Sequence, residues 1–146
     1  MIQVQHYTEE FAKELLPLLR KDWQESPSYE PDLEVDPNFD IYAKLDAAGA
    51  LLCLTLRDAT RLVGFLVYIV SPSTHHKSVM VGRGDVMYIE PGYRGHAKEM
   101  LWAAEQLLKA GGVRRLGWAT HASSRLYKLL HATGFYDDEI VMEKKL

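Results

Sequence analysis

The chain has 146 residues, 47% of them apolar and 25% charged, the balance of an ordinary folded protein rather than a disordered one. A net charge of −3 argues against general nucleic-acid binding, which needs a basic footprint. The single cysteine, Cys53, rules out an internal disulfide or a cysteine-based zinc site and points to a reducing, cytoplasmic setting.

Other classes fall away as quickly. The longest apolar stretch, 62–70, is too short to span a bilayer, and the first six residues carry no secretion leader. His75 and His76 are adjacent, so they do not converge as an i, i+4 pair does. No histidine spacing matches a metal site, and none is expected. Residues 1–146 read as one domain.

Residues 2–6 alternate apolar and polar side chains and predict a short strand. Thr8 can cap a helix carrying Phe11, Leu15 and Leu18, which Pro17 should kink or split. An irregular stretch with Pro27, Pro31 and Pro37 precedes a second helix over 40–48. Residues 51–57 and 61–70 predict a hairpin across the tight connection at 58–60. A loop over 71–77 leads to a long strand, 78–90, in which Gly82 and Gly84 suggest a bulge or a close backbone approach. Helical spacing at Ala97, Leu101, Ala104 and Leu108 predicts a helix over 95–110, ended by Gly111 and Gly112. A strand over 115–120 follows, then a helix capped by Ser123 or Ser124 and stopped at Gly134. Residues 135–137 and 140–144 predict two closing strands. The order β-α-α-β-β-β-α-β-α-β-β implies an α/β fold, a mixed, mostly antiparallel central sheet flanked by helices.

The segment from Met87 to Glu99 carries the most chemical information. An apolar strand ends at Pro91, a short turn follows, and Arg94-Gly95 opens a helix. Unpaired N–H groups at a helix start bind phosphate without needing a basic side chain. Here the sequence resembles the GNAT acetyltransferases. That family carries a strand, then Val-x-Pro-x-Tyr-Arg-Gly, then a helix, with the core Arg/Gln-x-x-Gly-x-Gly/Ala. The match is Ile89-Glu90-Pro91-Gly92-Tyr93-Arg94-Gly95, with Gly134-Phe135 at the end. The chain also looks like small acetyltransferase-like proteins of bacteriophages and bacteria. Ala97 and Glu99 stand where the family has glycine and glycine or alanine, and Glu99 puts a like charge near a pyrophosphate.

The resemblance implies acetyl-CoA as co-substrate. Its pantetheine arm would pair with the backbone of Met87, Tyr88 and Ile89 as an added strand. Its pyrophosphate would meet the amides of Arg94, Gly95, His96, Ala97, Lys98 and Glu99. Ser123 lies near the family's pantetheine-binding Asn. The family's usual tyrosine acid is replaced by Leu130, and Tyr127, one turn earlier, is the candidate substitute.

Acetyl transfer requires the attacking amine to lose a proton and the oxyanion to find a fixed donor, which the Ile89 amide could supply. Asp85 should share a strand face with Met87 and Ile89 by period-two alternation, about 13 Å from Ile89, and is one candidate base. His121 is the other, with an unperturbed pKa of about 6.5. The structural alternatives are a solvated carboxylate for Asp85, a loop cap for His121 and a core aromatic for Tyr127.

Residues 22–43 hold Asp22, Glu25, Glu30, Asp32, Glu34, Asp36 and Asp40 with no Lys or Arg. In proteins of this resemblance that segment lines the acceptor side, and an acidic rim would concentrate a cationic amine. The bland alternative is a solvated loop. The expected partners are therefore acetyl-CoA and an amine acceptor, with neither nucleic acid nor membrane and with a homodimer allowed. The competing class is a non-catalytic protein on the same fold that acts by coenzyme or protein binding.

Overall fold

A computed structural model describes residues 1–26 and 32–146; Pro27, Glu30 and Pro31 lie outside the described residues. After the short strand β1 (Ile2–Val4), helix α1 (Glu9–Glu25) starts where Thr8 accepts the Phe11 amide, with Glu9 and Glu10 in its first turn. Such a cap satisfies one of the orphan donors, and the acids suit the dipole. Phe11, Leu15 and Leu18 form its buried stripe. Pro17 does not split the helix: it faces solvent and α1 runs through it. A missing N–H there removes one helical bond, while the buried stripe on the other side still packs.

The last turn of α1 contains no cation. Burial, then the charge of Glu25, push Asp22 up to about 6 from 3.8. A carboxyl whose folded value is raised contributes most stability below its ordinary pKa and loses it as pH rises through about 6. Asp22→Asn is therefore expected to stabilise the protein by about 1–2 kcal/mol at pH 7.5 and by much less at pH 4.5. Urea unfolding at the two pH values measures this; an equal gain at both would reject the buried-charge account.

Helix α2 (Phe39–Ala47) is capped by Asn38, whose side chain accepts the Ile41 amide. Strands β2 (Leu51–Asp58) and β3 (Arg61–Pro72) form the predicted hairpin, with Ala59 at φ +52 in its turn. Strand β4 (Met80–Ile89) runs into a 3-10 helix (Pro91–His96) and then α3 (Ala97–Ala110). Strand β5 (Val113–Trp118) and helix α4 (Arg125–Ala132) follow. The sheet order is β1-β2-β3-β4-β5, antiparallel throughout except for the parallel β4–β5 pair. This is the mixed, mostly antiparallel sheet flanked by helices that the sequence predicts. Among the described residues, no helix is long and apolar enough to cross a membrane.

Two cores sandwich the sheet. Leu54, Leu56, Leu66, Tyr68 and Ile89 pack against Met100, Leu101 and Ala104 of α3 and Leu130 of α4. On the other face Cys53, Phe65, Val67 and Tyr88 pack against Phe11, Leu15 and Leu18 of α1.

The two closing strands do not form: residues 135–146 hold no strand. Ile140 and Met142 are each 90% exposed and Val141 between them is exposed too, so this apolar run has no surface to cover. The run Asp137-Asp138-Glu139 is held by side chains instead, Asp137 by Tyr127 and His131 and Asp138 by Arg115. An apolar run makes a strand only when a neighbour completes the ladder and buries one face.

Candidate active site

The site begins where two parallel strands part. The last β4–β5 pair is Gly84 with Trp118. Beyond it, residues 85–89 continue along β3 but lose β5 as a neighbour. Trp118 lies so close that a Cβ on Gly84 would fall 2.0 Å from its ring, and the ring N–H donates to Tyr68 at 2.7 Å. Both features expected near Gly84 are present, the close approach and a bulge beside it.

Backbone directions follow from one bond. The Glu90 amide donates to the Val63 carbonyl at 2.9 Å, so in this antiparallel pair Tyr88 also exchanges its hydrogen bonds with β3, at Phe65. Met87 and Ile89 alternate with them and turn their N–H and C=O groups toward the opening. Tyr88 is thus a correction: its backbone faces β3, and its hydroxyl donates to Glu25 at 3.3 Å on the α1 side.

Asp85 is a second correction. Val67 pairs with Val86 and Tyr68 with Gly84, leaving Asp85 as the extra residue of a bulge. A bulge breaks period-two alternation, so Asp85 does not share the face of Met87 and Ile89. Its carboxylate accepts the hydroxyl of Tyr42, a residue of α2 on the opposite face. Burial first, and then this bond, raise the Tyr42 hydroxyl well above the ordinary phenol range, so it stays a donor at working pH. Sequence reasoning missed Tyr42, because nothing in a helical pattern indicates which strand residue a tyrosine will reach.

The turn after β4 is tighter than predicted. Gly95 and His96 belong to the 3-10 helix, and the α-helix starts at Ala97, whose amide already donates to the Arg94 carbonyl. The start of the α-helix, and with it the donors expected there, therefore falls two residues later than predicted. Glu99 is exposed and turns back to His96 at 3.2 Å; it is not buried against the helix start. Arg94 donates through Nε to the Ile89 carbonyl at 3.0 Å and through Nη2 to Glu25 at 2.5 Å.

The other wall is β5 and the start of α4. His121 lies three residues beyond Trp118, so it and Asp85 stand on opposite walls. Ser124, not Ser123, caps α4, accepting the Tyr127 amide at 3.0 Å; Ser123 is exposed in the turn. Tyr127 donates to Asp137 at 2.8 Å, and that bond is the main reason its hydroxyl is a weaker acid than an ordinary phenol. Leu130, where the family's usual acid would be, is buried in the core.

The model of the acetyltransferase (GNAT) family matches residues 9–132, from the start of α1 to the end of α4. The chain belongs to that family.

Solved structures agree on the fold of this acetyltransferase. It is similar to a ribosomal-protein-alanine N-acetyltransferase from Brucella melitensis biovar Abortus 2308 at 20% identity and TM-score 0.74, over 100% of this chain and 99% of that one. The aminoglycoside N-acetyltransferase AAC(6')-Iy in complex with CoA superposes with TM-score 0.71 at 14% identity, over 100% of this chain and 99% of that one. A Trypanosoma brucei acetyltransferase aligns over 100% of both chains at 16% identity and TM-score 0.72. Comparison with curated protein sequences gives no match. The acetyltransferase carries its family's strand, turn and helix while departing from it at Ala97, Glu99 and Leu130.

Proposed function

We propose that the chain transfers an acetyl group from acetyl-CoA to a primary amine, as a cytoplasmic enzyme. The observation that carries this reading is the β4 edge beyond β5, where the Met87 backbone and the Ile89 N–H face the opening between β4 and β5, the Ile89 carbonyl being taken by Arg94. An extended pantetheine arm suits such an edge because it can make strand-like hydrogen bonds. The pyrophosphate would then meet the amides of Lys98 and Glu99 and the adjoining turn. Acetyl-CoA supplies the electrophilic thioester carbonyl.

The protein's share of the chemistry is positioning and proton transfer. The Ile89 N–H, fixed by the sheet, is the donor for the developing oxyanion. Asp85 or His121, on opposite walls, takes the proton from the amine, directly or through water. The departing thiolate, with a pKa of about 8.5 by analogy with cysteine, leaves with little protonation. Commitment of Tyr127 to Asp137 is thus compatible with turnover. The acceptor is a cationic amine that enters from the α1–α2 side; similar structures include enzymes named for aminoglycosides, and polyamine acceptors are the ones to try first. Asp22, half-buried, and Glu25, paired with Arg94, contribute least to such an acidic rim.

Calorimetric titration with acetyl-CoA tests the reading. Saturable binding is expected, strongly weakened by Gly95→Pro, which removes an amide and restricts Arg94. No binding by a folded wild-type protein would reject the coenzyme site and leave the non-catalytic alternative.

A further inference from the structure

Glu25 stands one residue before the Ser26 cap of α1, yet its carboxylate reaches across to both walls of the opening. Its Oε1 accepts the Tyr88 hydroxyl at 3.3 Å. Its Oε2 meets Arg94 Nη2 at 2.5 Å and Arg125 Nη1 at 3.6 Å. Arg94 belongs to the 3-10 helix that follows β4, and Arg125 is the first residue of α4. A single oxygen therefore joins the two elements between which a coenzyme would lie.

The position is unfavourable for α1 itself. A second acid in a last turn that lacks any cation opposes the helix dipole, and its charge helps to raise Asp22. What holds Glu25 there is the pair of guanidinium groups. Two guanidiniums converging on one oxygen form a site for an anion, and arginine matches phosphate as readily as carboxylate. Arg94 is also anchored at its Nε by the Ile89 carbonyl. Its terminal nitrogens can change partner while that anchor stays in place.

We propose that Arg94 and Arg125 form a phosphate subsite and that Glu25 is its internal occupant, displaced when the coenzyme's phosphate binds. This rests on the coenzyme reading above and adds two residues to it. Arg125 becomes a binding residue, and Glu25 becomes a built-in competitor that lowers affinity for anions.

The test is titration at low salt with acetyl-CoA and, separately, with inorganic pyrophosphate. Glu25→Gln should tighten both by about two- to fivefold, the scale of releasing a partly exposed ion pair. Glu25→Asp, too short to reach both arginines, should tighten them less. Arg125→Gln should weaken binding clearly in the Glu25→Gln background and little in the wild type, where Glu25 masks it. Affinity that is unchanged or reduced in Glu25→Gln, with a wild type that binds acetyl-CoA, would overturn the competitor role and leave the coenzyme reading intact. Tighter pyrophosphate binding without any acetyl-CoA binding would keep the anion site and reject the coenzyme. No binding of either ligand by folded wild type and Glu25→Gln would reject both.

Discussion

Asp85→Asn is expected to lower kcat by about 10²-fold or more, within the range for removal of a general base, while acetyl-CoA affinity stays close to wild type. Asp85 is the extra residue of the β4 bulge, next to the last pair that β4 makes with β5. Its carboxylate is oriented by Tyr42 from the α1–α2 side, the side from which the amine is proposed to enter. Asparagine keeps the shape and can still accept the Tyr42 hydrogen bond but cannot take a proton.

Tyr42 acts through Asp85 and is a positioning residue. Tyr42→Phe should therefore reduce kcat by less than Asp85→Asn does and leave the KM for acetyl-CoA unchanged. A purely structural loss would move both constants. His121→Ala decides between the two candidate bases. A loss of about 10²-fold there, with near-normal Asp85→Asn, would transfer the role to His121. Near-normal turnover in both variants would remove both assignments.

Gly84→Ala is expected to destabilise the fold by about 2–4 kcal/mol, combining overpacking with loss of a hydrogen bond. A Cβ at this position would lie 2.0 Å from Cε2 of Trp118 and 2.1 Å from Cδ2. An indole cannot yield by a small rotation when its N–H is committed to Tyr68 at 2.7 Å and its ring packs edge-on against that tyrosine at 5.2 Å. The methyl group must push β5 away from β4 or break the Trp118–Tyr68 contact.

Gly117→Ala is the control. Its Cβ would meet Arg83 Nη1 at 2.1 Å, but that side chain is long, exposed and free to swing, so the cost should be below about 1 kcal/mol. Urea unfolding of the two variants gives the comparison. Equal effects would show that Trp118 is not the obstacle. Because the same residue pair closes the β4–β5 ladder, Gly84→Ala should also weaken acetyl-CoA binding in molecules that remain folded.

The legible parts of this protein are those whose signals are local. Thr8 caps its helix because a threonine oxygen three residues before an amide can accept from it. The β2–β3 hairpin is readable because two apolar runs flank a tight connection. The turn from Ile89 to Gly95 is readable because Pro91, Tyr93, Arg94 and Gly95 keep a family spacing, and the family model spans that turn.

What only the tertiary structure decided are the relations between distant residues. Period-two alternation assigned Asp85 to the wrong face because a bulge is defined by the partner strand, Val67 with Val86 and Tyr68 with Gly84. The apolar run 140–142 gave no strand because no neighbour pairs with it among the described residues. Glu25, Arg94 and Arg125 meet across 100 positions of sequence, from Glu25 to Arg125. Their charges were visible in the composition, but charge along a chain carries no direction. Only packing α1 and α4 on opposite faces of the sheet, with their ends at the same opening, turns a carboxylate and two guanidiniums into one site.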